Sequence, residues 1–149
     1  MELILVMVIM CMVMALAAPS LQGWSRGSKL RNSADEFVAA TKFARTKAVS
    51  SGYPCVVSID RQGGTFSVKQ QNGQNLSPVE GEFGETIPLL EGGKIEAINL
   101  SRQPVDAIMF YPTGRVQPAS VTITADNGEA ISITCSAPAE DFGILENSR

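Results

Sequence analysis

The stretch that decides the fold of this chain is MELILVMVIMCMVMALAAPS, residues 1–20. Residues 3–18 are apolar without interruption, with Glu2 directly before them and Pro19 directly after. Export and membrane segments ordinarily carry Lys or Arg ahead of their apolar run. Here the acidic residue comes first and the basic residues come later. The stretch therefore predicts a helix that enters a membrane, with a charge pattern that needs its own explanation.

Two common kinds of membrane-directed segment fit these residues only in part. As a cleaved secretory signal, the run offers a small-x-small site at Ala15-Leu16-Ala17, yet Glu2 has the wrong sign for the region before it. As an ordinary anchor, sixteen apolar residues at ~1.5 Å each span roughly 24 Å, short of a ~30 Å hydrocarbon core. The positive-inside rule would also place the bulk of the chain in the cytoplasm, because Arg26 and its basic neighbours follow the run.

Composition limits the chemistry open to the rest of the chain. The 149 residues suffice for one domain and an appendage, with a formal net charge of −3, three Cys and no His. Without His there is no Ser-His-Asp triad, Cys-His pair or His-ligated metal site. An acidic stretch lacks the alternating ligands of a calcium loop, and we interpret it as a solvated loop (Glu80, Glu82, Glu85 and Glu91). The sequence predicts a protein that is not an enzyme and has no cofactor or metal site.

Charge is divided unevenly along the chain. Residues 26–47 carry six basic and two acidic side chains, whereas residues 53–149 carry six basic and twelve acidic ones. Neutralisation of phosphates by Lys and Arg supplies most of the non-specific affinity of proteins for nucleic acids. The acidic C-terminal part therefore argues against nucleic acid as the main partner.

A helical period continues beyond the apolar run. Small or apolar residues recur every three or four positions, at Leu30, Ala34, Phe37, Thr41, Ala44 and Ala48. This spacing predicts a narrow stripe on a helix that packs against the protein's own head. We predict that the helix ends at Ser51, with Gly52 as a left-handed cap.

The middle of this helix contains three residues that weaken it, namely Pro19, Gly23 and Gly27. Pro removes a backbone donor, and each Gly costs about 1 kcal/mol relative to Ala. Two outcomes are open for residues 18–27. The segment unwinds locally when the chain assembles with others, or it stays a kinked but intact helix.

From residue 53 the period changes to two, which predicts short strands. We expect strands at 53–60, 65–70, 85–90, 94–99, 107–111, 120–125 and 129–136, with a loop at 71–82. The pattern predicts an α+β fold in which a long N-terminal helix packs against an antiparallel, sandwich-like head. The expected organisation is a transmembrane part of the helix at 1–20, a stem at 21–52 and the head at 53–149.

The three cysteines allow one disulfide. Cys11 lies in the apolar run, which leaves Cys55 and Cys135 as the plausible pair. They could bond outside the cytoplasm. Two buried free thiols on separate strands are the alternative.

The N-terminal residues resemble the helix of type IV pilins and type II secretion pseudopilins. That family has a Glu near its mature N-terminus, an unbroken apolar helix and a Pro seventeen positions after the Glu, the spacing of Glu2 and Pro19. The family's basic leader ends in Gly, so the resemblance implies that this sequence starts downstream of such a leader. It also implies processing by a prepilin peptidase, N-terminal methylation, and pairing of Glu2 with a neighbouring subunit's N-terminal amine during filament assembly.

The head is similar to the minor pseudopilin H branch of that family, the GspH/FimT group. The similarity lies in SGYPCVVSID at 51–60 and in IMFYPTGRVQPASVTIT at 108–124. The branch carries a Phe-x-Pro-x-Gly stretch before its last hairpin, and Phe110, Pro112 and Gly114 fill it here.

The resemblance implies a structural subunit, single-pass in the bacterial inner membrane, with its head in the periplasm. Other pseudopilins, the prepilin peptidase and membrane lipid are the expected partners. The subunit would join a short filament that supports type II secretion of folded proteins. One alternative is a FimT-like minor type IV pilin for pilus biogenesis, adhesion or DNA uptake. Another is a secreted β-sandwich binding module behind a cleaved signal peptide.

Overall fold

The described part of the chain forms one long helix followed by nine short strands, with a single 3-10 turn at Glu82–Gly84. The computed structural model describes the backbone of residues 2–89 and 92–145, and the side chains of these residues except those of Glu2 and 14–26. Helix α1 is continuous over Glu2–Ser51, so residues 18–27 are helical in the single chain. Unwinding on assembly stays a prediction. The side chains of Glu2 and Pro19, and the surroundings of Gly23, lie outside the described residues.

Among the residues that the structure describes, no helix combines the length and the hydropathy required to cross a membrane.

Helix α1 ends where the sequence predicts. Gly52 has φ +74°, and its N–H donates to the Ala48 carbonyl at 3.1 Å. A left-handed residue at this position closes the last turn without the steric cost that a Cβ would bring. The chain then leaves the helix through Tyr53 and Pro54 and enters the first strand.

The strands form two antiparallel sheets. The first sheet has the order β3-β2-β1-β6, with β4 paired to β2, and consists of β1 (Cys55–Asp60), β2 (Thr65–Asn72), β3 (Asn75–Pro78), β4 (Ile87–Pro88) and β6 (Ala107–Phe110). The second has the order β5-β7-β8-β9 and consists of β5 (Lys94–Asn99), β7 (Ala119–Thr124), β8 (Ala130–Cys135) and β9 (Gly143–Leu145). The α+β architecture predicted from the sequence is confirmed.

Three details of the strand prediction are wrong. The expected loop at 71–82 contains β3, whose four residues are all exposed and therefore show no alternation of apolar side chains. The expected strand at 85–90 is reduced to the two residues of β4. Strand β9 was not expected at all, because its three residues follow a polar segment.

One core joins the helix to both sheets. The predicted stripe residues are each at most 3% exposed: Leu30, Ala34, Phe37, Thr41, Ala44 and Ala48. They pack against inward-facing residues of both sheets, such as Val57, Phe66 and Ile133. Phe37 meets Phe66 edge to face, with ring centroids 5.3 Å apart. Because most stripe residues are small, the helix axis can approach the sheets closely, and the head packs on residues 30–48 of the helix.

Candidate assembly surface

The N-terminal part of α1 presents an apolar surface to solvent. Its large apolar side chains are 53–81% exposed and comprise Leu3, Ile4, Leu5, Val6, Met7, Val8, Ile9, Met10, Met12 and Val13. We call this set the apolar segment. Cys11 lies within it and is also exposed. A contiguous apolar surface of this extent is typical of a membrane or protein interaction site, because soluble monomers rarely leave one uncovered.

The head also contacts the stem through residues 79–89, which lie between β3 and β5 in the sequence and which we call the strap. Within this strap Val79, Ile87 and Leu89 are buried, and Phe83 stacks on Phe43 of the helix with ring centroids 5.3 Å apart. The Ser33 hydroxyl donates to the Leu89 carbonyl. The strap therefore covers one side of the stem and leaves the apolar segment free.

The exposed carboxylates of this region include Glu80, Glu82 and Glu85, as expected for a solvated acidic loop. Glu91 lies outside the described residues. Among the residues that the structure describes, no group of His, Cys, Asp and Glu is arranged to hold a metal ion.

A second group of contacts joins the helix to the head, where Arg45 binds the segment that leads into β9. Its guanidinium donates to the carbonyls of Ala139 at 3.1 Å and Glu140 at 3.2 Å, and to the Asp141 carboxylate at 2.5 Å. We call this group the Arg45 latch. Sequence reasoning did not identify it, because Arg45 and its partners are 94 to 96 residues apart and no local pattern connects them.

The two candidate disulfide residues lie in different sheets. Cys55 begins β1 and Cys135 ends β8, and the structure describes both as buried free thiols. The Cys135 Sγ–H faces the Ala137 carbonyl at 3.2 Å and the Glu140 carbonyl at 3.5 Å. Burial raises the pKa of both thiols, and Lys47 partly opposes this for Cys55. The thiol of Cys135 thus serves as a weak donor that helps to order the Arg45 latch.

The Phe-x-Pro-x-Gly stretch of the head forms a turn. Phe110 is buried and stacks near Phe142, with ring centroids 6.3 Å apart. Gly114 has φ +78°, and its N–H donates to the Tyr111 carbonyl at 2.9 Å. A Cβ at Gly114 would lie 3.8 Å from a methyl of Val49, so the turn rests against the end of the helix. The motif is accounted for by packing and chain reversal.

An open cleft lies between the β1–β2 turn and the edge strand β5. Five charged side chains line this cleft, namely Asp60, Arg61, Lys94, Glu96 and Asp106, and three of them are engaged with one another or with the backbone. Arg61 donates to Asp106 at 2.6 Å, and the Asp60 carboxylate accepts the amides of Gln62 and Gly63 at 3.0 Å. These contacts hold the β1–β2 turn in shape.

Helix α1 exposes apolar side chains in its N-terminal part and packs against two antiparallel sheets in its C-terminal part. This is the arrangement of a pilin-like subunit. The family model "Type II transport protein GspH" matches residues 33–138. The chain belongs to this family of type II secretion pseudopilins. Comparison with curated proteins gives no match.

Solved structures share the fold at low sequence identity. The minor pseudopilin EpsH of Vibrio cholerae is 15% identical, with 82% of this chain and 96% of that chain covered and a TM-score of 0.68. Escherichia coli GspH is 17% identical, with coverage of 79% and 88% and a TM-score of 0.61. The type IV minor pilin FimU of Pseudomonas aeruginosa is 17% identical, with coverage of 82% and 90% and a TM-score of 0.56.

Proposed function

We propose that this protein is a minor pseudopilin that joins a short periplasmic filament and supports export of folded proteins by a type II secretion system. The observation that carries the proposal is a difference in exposure between two parts of α1, in a chain that belongs to the GspH family. One face of residues 30–48 is covered by the head, whereas the apolar segment has no cover within the described chain. Lipid covers it before assembly, and the helices of other pseudopilins cover it afterwards.

The composition of the apolar segment suits both environments. Its Leu, Ile, Val and Met side chains need no polar partner, so transfer from lipid to a helix bundle leaves no buried polar group unsatisfied. In this proposal the protein is anchored in the inner membrane with its head in the periplasm, after a prepilin peptidase has removed a leader.

Glu2 has the role of guiding assembly. It begins α1, where the helix macrodipole favours a negative charge by ~0.3–1 kcal/mol. A carboxylate near the end of an apolar run also reaches the interface, where it costs less than the ~2.5–3.5 kcal/mol of the bilayer centre. Its partner in the filament is the N-terminal amine of the neighbouring subunit.

The test is complementation of a gene deletion with wild type, Glu2→Ala or Glu129→Ala, the last as a matched control because Glu129 is exposed on the head. Three quantities are measured: protein in the inner-membrane fraction, protein in sheared filaments, and cargo in the medium. We expect Glu2→Ala to insert normally but to be depleted from filaments and to restore little export. Normal export by the deletion strain would refute the secretion role, and normal incorporation of Glu2→Ala would refute the role of Glu2.

A minor type IV pilin is the second candidate, favoured by the fold shared with FimU. It predicts that the deletion reduces surface pili while export continues. DNA uptake by such a pilin is disfavoured, since Glu140 and Asp141 are exposed at the end of the head. A gel-shift assay with the purified chain checks this point, and salt-sensitive DNA binding would contradict it.

A further inference from the structure

The sequence contains two Asn-Gly pairs, and the structure holds them in different ways. Asn72-Gly73 connects β2 to β3, and Asn127-Gly128 connects β7 to β8. An Asn followed by Gly can react with its own backbone, because Gly offers no side chain to hinder the approach. Both pairs place Gly after Asn, but Asn72-Gly73 lies between two Gln residues and Asn127-Gly128 lies between Asp126 and Glu129. Rates in the unfolded chain are therefore needed to isolate the effect of the fold.

The reaction needs only water as co-reactant. The backbone nitrogen of the Gly loses its proton and attacks the side-chain carbonyl carbon of the Asn. The bond from that carbon to the side-chain nitrogen breaks, and the nitrogen leaves as ammonia with the proton. Water then opens the resulting five-membered imide at either carbonyl, which gives aspartate or isoaspartate. The attacking amide and the Asn side chain must therefore both be free to move.

In the β7–β8 turn both reacting groups are engaged. The Gly128 N–H donates to the Ala125 carbonyl at 3.0 Å, and the Asn127 Oδ1 accepts the Glu129 N–H at 3.0 Å. The turn is closed further by the Ala125 N–H, which donates to the Glu129 carbonyl at 2.8 Å. Attack at Asn127 requires these hydrogen bonds to open first.

In the β2–β3 turn neither reacting group is engaged within the part of the chain that the structure describes. Among the described residues, the Gly73 N–H has no acceptor and the Asn72 side chain has no partner. The side-chain amide of Gln71 donates to the Gly73 carbonyl at 3.1 Å. Gly73 has φ +66°, so it adopts a conformation that Gly favours. Asn72 is exposed, as are all four residues of β3 at the edge of its sheet. Such peripheral hairpins open at low free-energy cost.

We propose that Asn72 is a site of spontaneous deamidation in this protein and that Asn127 is protected by its turn. The product replaces a neutral amide by a carboxylate, and isoaspartate also adds one carbon to the main chain. Because Asn72 pairs with Asn75 and the next pair is Gln71 with Leu76, the added carbon shifts the closing register of the hairpin. Deamidation is therefore expected to loosen β3 and leave the rest of the head in place.

The test follows both sites in one sample of the purified full chain in detergent. Freshly prepared protein is held at neutral pH and 37 °C, digested at intervals, and analysed by peptide mass spectrometry with fragmentation. An isoaspartyl methyltransferase assay confirms the isomer. A parallel sample in guanidinium chloride gives the rates without the fold. Asn72→Gln and Asn127→Gln are matched controls that each remove one site, since Gln forms the larger ring slowly.

We expect Asn72 to react faster than Asn127 in the native chain by about tenfold, the ratio that ~1.4 kcal/mol of turn opening produces. In guanidinium chloride the two rates should converge. Equal rates in the native chain, faster reaction at Asn127, or no native reaction at Asn72 while denatured chain reacts would each overturn the proposal. None of these outcomes depends on filament assembly.

Discussion

The Arg45 latch allows a quantitative prediction about what holds the C-terminal segment on the helix. Arg45 donates to two backbone carbonyls and to one carboxylate. The Arg45 side chain is 25% exposed, whereas that of Asp141 is 58% exposed. The carboxylate is therefore largely solvated, whereas two hydrogen bonds join the guanidinium to neutral carbonyls, on which salt screening acts less. We expect the carbonyl bonds to contribute more than the ion pair.

The magnitudes follow from these exposures. An exposed ion pair stabilises a protein by about 0–1 kcal/mol, and a hydrogen bond to a charged donor by about 1.5–3 kcal/mol. Asp141→Asn should therefore lower the free energy of unfolding by less than about 1 kcal/mol. Arg45→Ala should lower it by about 1.5–3 kcal/mol, because carbonyls of the latch lose their donor. Arg45→Lys keeps a charge but lacks the planar guanidinium, so its loss in the free energy of unfolding should lie between those of the other two variants.

The assay is urea unfolding of the full chain in detergent, with hydrogen exchange of the β9 amides as a local readout. Urea keeps ionic strength constant, so the measurement can be repeated at high salt. Salt should remove the effect of Asp141→Asn and leave most of that of Arg45→Ala, because screening acts on exposed charges. If Asp141→Asn proves as destabilising as Arg45→Ala, the assignment of the latch to the carbonyls is wrong.

The remaining predictions concern the two buried thiols and two glycines. Cys55 and Cys135 should both react with a thiol reagent after unfolding and slowly before it, and recovery of a linked peptide from the exported protein would contradict the free-thiol state. Burial raises the pKa of these thiols in the folded state. Their contribution to stability should therefore be complete below the unfolded pKa of ~8.5 and fall as the pH rises above it. Urea unfolding between pH 7 and 10 measures this. Gly84→Ala should be strongly destabilising, since the added Cβ would lie 1.8 Å from the Val79 carbonyl oxygen, and an unchanged urea midpoint would refute this. Gly27→Ala meets no atom within 4 Å, so it should stabilise the helix by up to about 1 kcal/mol; if assembly requires unwinding of residues 18–27, the same change should lower incorporation into filaments, and unaltered incorporation would count against unwinding.

The helix was predictable because its signals are local. The stripe from Leu30 to Ala48 follows the helical period, and Gly52 supplies the left-handed cap that the end of the helix needs. Strand β5 has the predicted bounds, since its first five residues alternate between exposed and buried. In both cases, residues close together in the sequence already show the pattern that burial requires.

Strands β3 and β9 were not predictable in this way. Strand β3 is held by pairing with β2 and buries no side chain, so its residues resemble a loop. Strand β9 is positioned by contacts distant in sequence, among them the Arg45 latch and the packing of Phe142 near Phe110. Asp141 illustrates the same limit, because the sequence presents it as one more acidic residue of the tail, whereas the fold gives it an arginine partner.

The two ends of α1 differ in residue size as well as in exposure, and this difference explains how one helix serves two purposes. The stem buries Ala34, Ala40, Ala44 and Ala48 against its own sheets, and small side chains permit that close approach at little entropic cost. The apolar segment instead carries long side chains that the head does not reach. Its residues gain cover only from lipid or from another chain, so substitutions there should alter assembly without altering the stability of the head. The separation holds because the contacts that fasten the head, at Ser33, Phe43 and Arg45, all lie beyond residue 30.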